Sequence, residues 1–165
     1  MGNTTREIIT ESLKGELQSV DFYLAIAEAA PNKEVKDFSQ KFAAEEERHF
    51  QALVDWLEQD GDPTLRAALQ EVRLLLGDPT RKAEVTKRWA EKYGLAQVSH
   101  PLRVLEVAIA KEVESIGYFQ NLEKQVEDPL GRRVLLKILQ DEEQHKLFLE
   151  RRYQELTREG SSASS

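Results

Sequence analysis

Four long stretches of this 165-residue chain repeat apolar residues at steps of three and four, and each breaks the repeat near its middle with a carboxylate. The first stripe runs Ile9, Leu13, Glu16, Val20, Tyr23, Ala27, and the second Val35, Phe38, Phe42, Glu46, His49, Leu53, Trp56. The third runs Leu102, Leu105, Ile109, Glu112, Ile116, Phe119, and the fourth Val134, Ile138, Glu142, His145, Leu149, Leu156. That period is the signature of an amphipathic helix, and no stretch alternates with the period of two that a strand requires. The chain is therefore expected to be all-α, with acids on faces that should be buried.

Local signals give the boundaries. Thr4 with Glu7 fits a capping box, and Asp62-Pro63, Asp78-Pro79 and Asp128-Pro129 each set an N-cap before a proline at the first helical position. Ser99, ahead of His100-Pro101, reads the same way. Pro31, Gly61, Gly77, Gly94 and Gly160 read as stops. Long helices are expected at about 5–30, 33–60, 101–127 and 129–159, with shorter pieces near 64–76 and 79–93. Tight first and third connections with a long middle one predict a four-helix bundle: two helical hairpins joined by a partly helical crossover. Residues 1–160 read as one domain and 161–165 as a disordered tail.

The acids also repeat between the halves. Glu16 to Glu46 spans 30 positions and Glu112 to Glu142 spans 30 again, while Glu46/His49 and Glu142/His145 are both Glu-x-x-His pairs, offset by 96. Tyr23 and Phe119 each follow the first Glu of their half by seven. Burying four unpaired carboxylates would cost several kcal/mol per ion. Raised pKa values or cationic partners could relieve that cost, although the stripes supply no facing cation. Two divalent metals would cancel four carboxylates, and hard oxygens with one imidazole per metal suit iron or manganese. Residues three apart share a helix face, so Glu46 is presented with His49 and Glu142 with His145. Matched to the template of known two-metal carboxylate bundles, Glu46 and Glu142 would bridge, His49 and His145 would each complete one metal, and Glu16 and Glu112 would be terminal.

Composition narrows the chemistry. With no cysteine there is no disulfide, thiol nucleophile, thiolate zinc or iron–sulfur cluster. A net charge of −7 argues against nucleic-acid binding. No apolar run reaches a membrane span and the N-terminal residues do not read as a signal peptide, so the cytoplasm is the expected compartment. Gly2 sits where myristoylation signals place it, but Arg6 stands where Ser or Thr is required. No nucleophile motif or phosphate loop occurs, leaving no catalytic residue beyond the metal ligands. His100 reads as a capping or surface residue, and Trp56 and Trp89 as packing residues. Glu45, Glu47, Glu114, Asp141 and Glu143 read as a solvated face. Tyr23 and Phe119 read as core, Tyr23 being also able to hydrogen-bond a ligand carboxylate or relay an electron.

The doubled pattern Glu16…Tyr23…Glu46-Glu47-Arg48-His49 and Glu112…Phe119…Glu142-Glu143-Gln144-His145, over about residues 5–155, resembles the rubrerythrin branch of the ferritin-like non-haem di-iron carboxylate proteins. The resemblance implies a ferritin-like bundle whose two iron ions, or manganese in their place, react with O2 or H2O2, in a homodimer or larger oligomer. It implies a peroxidase or oxidase in oxidative-stress defence, or alternatively a ferroxidase or iron-storage protein. Rubrerythrin's rubredoxin domain needs four cysteines, so electrons are expected from an external donor such as a rubredoxin-type protein. Rubrerythrin also carries a further glutamate one turn after the first on its third long helix. Here that position is Ser115, which makes the site symmetric, as in bacterioferritin-like ferroxidases. A non-catalytic helical interaction module, its acids protonated or paired, is the alternative outside redox chemistry.

Overall fold

The computed structural model describes the backbone of residues 5–59, 70, 74, 78–94 and 100–162, and their side chains except at 5–11, 57, 86, 161 and 162. Its helices are α1 (Thr5–Glu28), α2 (Lys33–Gln59), α3 (Pro79–Lys92), α4 (Pro101–Glu123) and α5 (Pro129–Ser162), and no strand occurs among the described residues. The side chains of Ile9 and of the Thr4/Glu7 capping box, the 64–76 helix apart from residues 70 and 74, Gly61, Asp62-Pro63, Gly77, Ser99 and residues 163–165 lie outside that description. None of these helices is long and apolar enough to cross a membrane.

Start and stop signals act as expected at several ends. Asp78 Oδ1 accepts from the Thr80 amide at 3.0 Å, and Asp128 Oδ2 accepts from the Gly131 amide at 2.6 Å. After α3, Gly94 takes the left-handed conformation, φ +61°, that a side chain would resist. Three ends differ. The cap on α4 is His100, whose Nδ1 accepts from the Leu102 amide at 3.3 Å. This helix ends at Glu123 rather than near 127. The last helix runs through Gly160 to Ser162, so residues 161 and 162 are helix and not tail.

α1 pairs with α2 and α4 with α5 as two hairpins; α2 meets α5, α1 meets α4, and α3 lies along α1. The expected all-α bundle with a partly helical crossover is thus observed. The described stripe residues of α1 and α2 are all buried; on α4 the stripe is rotated slightly, so Val104 and Ala108 are buried while Ile109 and Ile116 are half-buried. Close approach of α5 to α2 is fixed by Gly131: a Cβ there would lie 1.8 Å from Trp56 Cζ2.

Candidate metal centre

All six residues singled out from the sequence meet in the middle of the bundle. Glu16, Glu46, Glu112 and Glu142 are at most 1 % exposed, and His49 and His145 are 5 % and 4 % exposed. Periodicity explains the convergence, because a residue three or four positions from buried leucine or phenylalanine neighbours is carried to the same face.

The atoms form two overlapping groups. Glu16, Glu46, His49 and Glu142 each offer one donor atom within 4.8 Å of the others, and Glu46, Glu112, Glu142 and His145 do the same. Glu46 and Glu142 belong to both. His49 Nδ1 lies 3.2 Å from Glu142 Oε1, 3.5 Å from Glu46 Oε2 and 3.7 Å from Glu16 Oε2. His145 Nδ1 lies 3.5 Å from Glu46 Oε1 and 3.8 Å from Glu112 Oε2.

Both imidazoles are aimed by a second carboxylate. His49 Nε2 contacts Asp141 Oδ2 at 3.3 Å, and His145 Nε2 contacts Glu45. Each partner reaches across from the other helix: Asp141 on α5 holds the α2 histidine, and Glu45 on α2 holds the α5 histidine. A proton on Nε2 leaves Nδ1 as the inward lone pair, the tautomer a metal ligand needs. Glu45 and Asp141 are half-buried, which corrects their reading as a solvated face. Their own offset of 96 was the signal in the sequence that marked them. Glu114 and Glu143 are exposed, and Ser115, where an additional glutamate would stand, is a buried hydroxyl. On the opposite side the Tyr23 hydroxyl donates to Glu112, as its position allowed.

Electrostatics describe a site short of positive charge. Burial, opposed by His49 and reinforced by the Glu46 charge, pushes Glu16 up to about 8. Burial with the Glu46 charge also raises Glu142 well above the carboxylate range. Burial acts the same way on Glu46, but contacts with His145 and His49 outweigh it and hold that group low. Against burial, Glu112 and Glu46 raise His145 to about 11, and Glu142, Glu16 and Glu46 raise His49 as well. Without metal, protons serve as the counter-charge.

Protons do not satisfy the geometry. Both oxygens of Glu16 and of Glu46, Glu112 Oε2, Glu142 Oε1 and both histidine Nδ1 atoms are buried with no hydrogen-bond partner. Each such orphan costs about 1–3 kcal/mol, and all of them face one another. A hard divalent cation takes such atoms as ligands, so the residues present fit a metal bound by carboxylates and imidazoles. A model of the rubrerythrin family matches residues 7–153. No curated protein and no solved structure matches the chain.

Proposed function

The chain belongs to the rubrerythrin family, and from that premise we propose that it is a di-iron redox protein that reduces peroxide or O2 with electrons from a separate carrier. The observation that carries the reading is the doubled cluster of partnerless donor atoms sharing Glu46 and Glu142. In this reading Glu16, Glu46, His49 and Glu142 would hold one metal and Glu46, Glu112, Glu142 and His145 the other. Two bound iron ions would supply the paired one-electron steps that peroxide or O2 requires, and manganese would fit the same ligands.

The chain's own residues do the rest. Four carboxylates balance two divalent charges, so a reduced centre can sit in an apolar bundle without net charge. Asp141 and Glu45 keep both imidazoles turned inward. Burial of the six residues keeps bulk water away, and the Tyr23 hydroxyl fixes the orientation of Glu112 as a hydrogen-bond donor beside the centre. Burial and the charges of Glu112 and Glu46 hold the Tyr23 hydroxyl protonated well above its usual range.

No cysteine in these residues can hold a rubredoxin-type iron, which is why the donor is placed in another molecule, such as a rubredoxin-type protein. The proposed setting is the cytoplasm, in a homodimer or larger oligomer engaged in oxidative-stress defence. One observation favours a second reading as a ferroxidase or iron-storage protein: Ser115 leaves the two halves with matching ligand sets. Anaerobic loading with Fe(II), followed by comparison of its oxidation by H2O2 and by O2, separates these. Faster oxidation by H2O2 is expected for the peroxidase; mineral growth beyond two irons per chain would favour storage.

A further inference from the structure

α3 has more structure than a crossover needs. Asp21 on α1 is wholly buried and takes Arg81 of α3 on both oxygens, at 3.3 and 2.5 Å, while Lys82 reaches Glu47 of α2 at 3.8 Å. A buried aspartate paired with a clamped guanidinium fixes one register for α3 against the bundle.

That register brings the far end of α3 against the metal centre's aromatic lining. Trp89 and Tyr93 stack on each other, centroids 5.4 Å apart and planes 3° apart, and both are half-buried. Each meets the edge of buried Phe22, at 5.6 and 5.5 Å. Phe22 meets Tyr23 at 5.1 Å, and Tyr23 donates to Glu112. A second branch leads from Tyr23 to Phe42 at 5.2 Å and on to His145, which stacks on Phe42 at 4.1 Å. An unbroken run of rings thus joins a surface indole to Glu112 and His145, two members of one of the overlapping donor groups. Electron tunnelling weakens exponentially with the gap between orbitals, so touching rings preserve coupling. Indole and phenol are also the side chains that most readily exchange an electron.

The surface at the outer end has the charge opposite to the rest of the molecule. Within a chain of net charge −7, and with Arg81 and Lys82 paired to Asp21 and Glu47, α3 still presents Lys87, Arg88 and Lys92 against Glu84 and Glu91. Lys92 Nζ stands 4.7 Å over the Trp89 ring and 5.3 Å over Tyr93. Lys14 and Lys111 border the cavity of about 300 Å³ beside Trp89. Such a patch steers an acidic partner to the indole and repels another copy of this acidic chain.

We propose that α3 is an electron port: a small acidic one-electron carrier protein docks on its basic face and passes electrons through Trp89, Phe22 and Tyr23 to the carboxylate–histidine centre. This rests on the redox reading above. Each docking event oxidises the carrier by one electron and reduces the centre by one. Two events supply the pair that, with two solvent protons, converts one H2O2 to two waters.

The test uses an acidic rubredoxin as probe. Its binding to the full-length, metal-free protein is measured by calorimetry. Affinity should fall with salt, and Lys87→Glu with Arg88→Glu should weaken it about tenfold or more. In the iron-loaded protein, Trp89→Leu and Phe22→Leu should each slow rubredoxin-driven iron reduction at least about tenfold, with Trp89→Tyr restoring it. Reduction of the unaltered protein by dithionite, small enough to need no docking, gives the reference rate. Unaltered binding on charge reversal, or an unaltered rubredoxin-driven rate in Trp89→Leu, would overturn the port while leaving the redox reading intact. Iron that does not react with peroxide even when dithionite supplies the electrons would overturn both.

Discussion

The core divides into two kinds of material with opposite energetics. On one side of the waist Leu13, Phe50, Leu53, Phe119 and Leu135 form an apolar cluster, and on the other Phe22, Ile26, Phe38, Val104 and Leu105 form a second. Between them lie Glu16, Glu46, His49, Glu112, Glu142 and His145, equally buried. Each large apolar side chain stabilises the fold by about 1.5–3 kcal/mol. The waist costs stability until something balances its charge. The clusters therefore hold the helices in register without metal, and the waist keeps free energy in reserve for binding one.

The largest separation between the two regions is expected across pH. Glu16 titrates near 8 in the fold against 4.5 ordinarily, and His145 near 11 against 6.5. Both values are raised, so the folded state binds more protons between them, and the metal-free protein should lose stability steadily as pH rises from about 5 towards 11. Metal binding needs those protons gone, so its stabilisation should grow over the same range. Melting curves of metal-free and anaerobic Fe(II)-loaded protein should diverge with rising pH; parallel curves would contradict the division.

Next in size is the apolar side. Phe50→Ala should cost about 3–5 kcal/mol in both metal-free and metal-loaded protein, read by denaturant unfolding. A loss seen only in the loaded form would mean that this cluster is organised by the metal. A different pattern is expected at the waist. Burial already holds Glu142 protonated in the metal-free fold, so Glu142→Gln should leave the stability of the metal-free protein nearly unchanged while abolishing stoichiometric metal loading. Smallest is Asp141→Asn, which keeps all six inward residues. It should lower metal affinity about 10–100-fold with an unchanged melting point for the metal-free protein. An unchanged affinity would show that Asp141 does not orient His49.

The same contrast explains what the sequence made legible. Apolar period and the offset of 96 identify the four stripes and the six inward residues, because both are properties of single helices repeated in order. Glu45 and Asp141 escaped that reasoning since each acts on a histidine of the other helix, and which helices face one another is decided by packing. Asp21, too, reads as an ordinary acid on α1 until Arg81, sixty residues on, is folded against it. At the ends, Asn32 caps α2 by accepting from the Val35 amide at 2.9 Å, a role its place after Pro31 did not advertise. His100, read as a capping or surface residue, is the cap of α4 where Ser99 was also expected, its imidazole nitrogen accepting from the Leu102 amide. Gly160 did not stop α5, which runs on as helix past the stop predicted there.

The central claim is that the waist is a two-metal site, and anaerobic titration with Fe(II), with metal analysis after removal of unbound ions, tests it most directly. The account predicts two irons per chain for the natural sequence and loss of stoichiometric loading for Glu46→Ala or His145→Ala. Less than one metal per chain, unaffected by either substitution, would contradict it and leave a helical interaction module whose buried acids are balanced by protons.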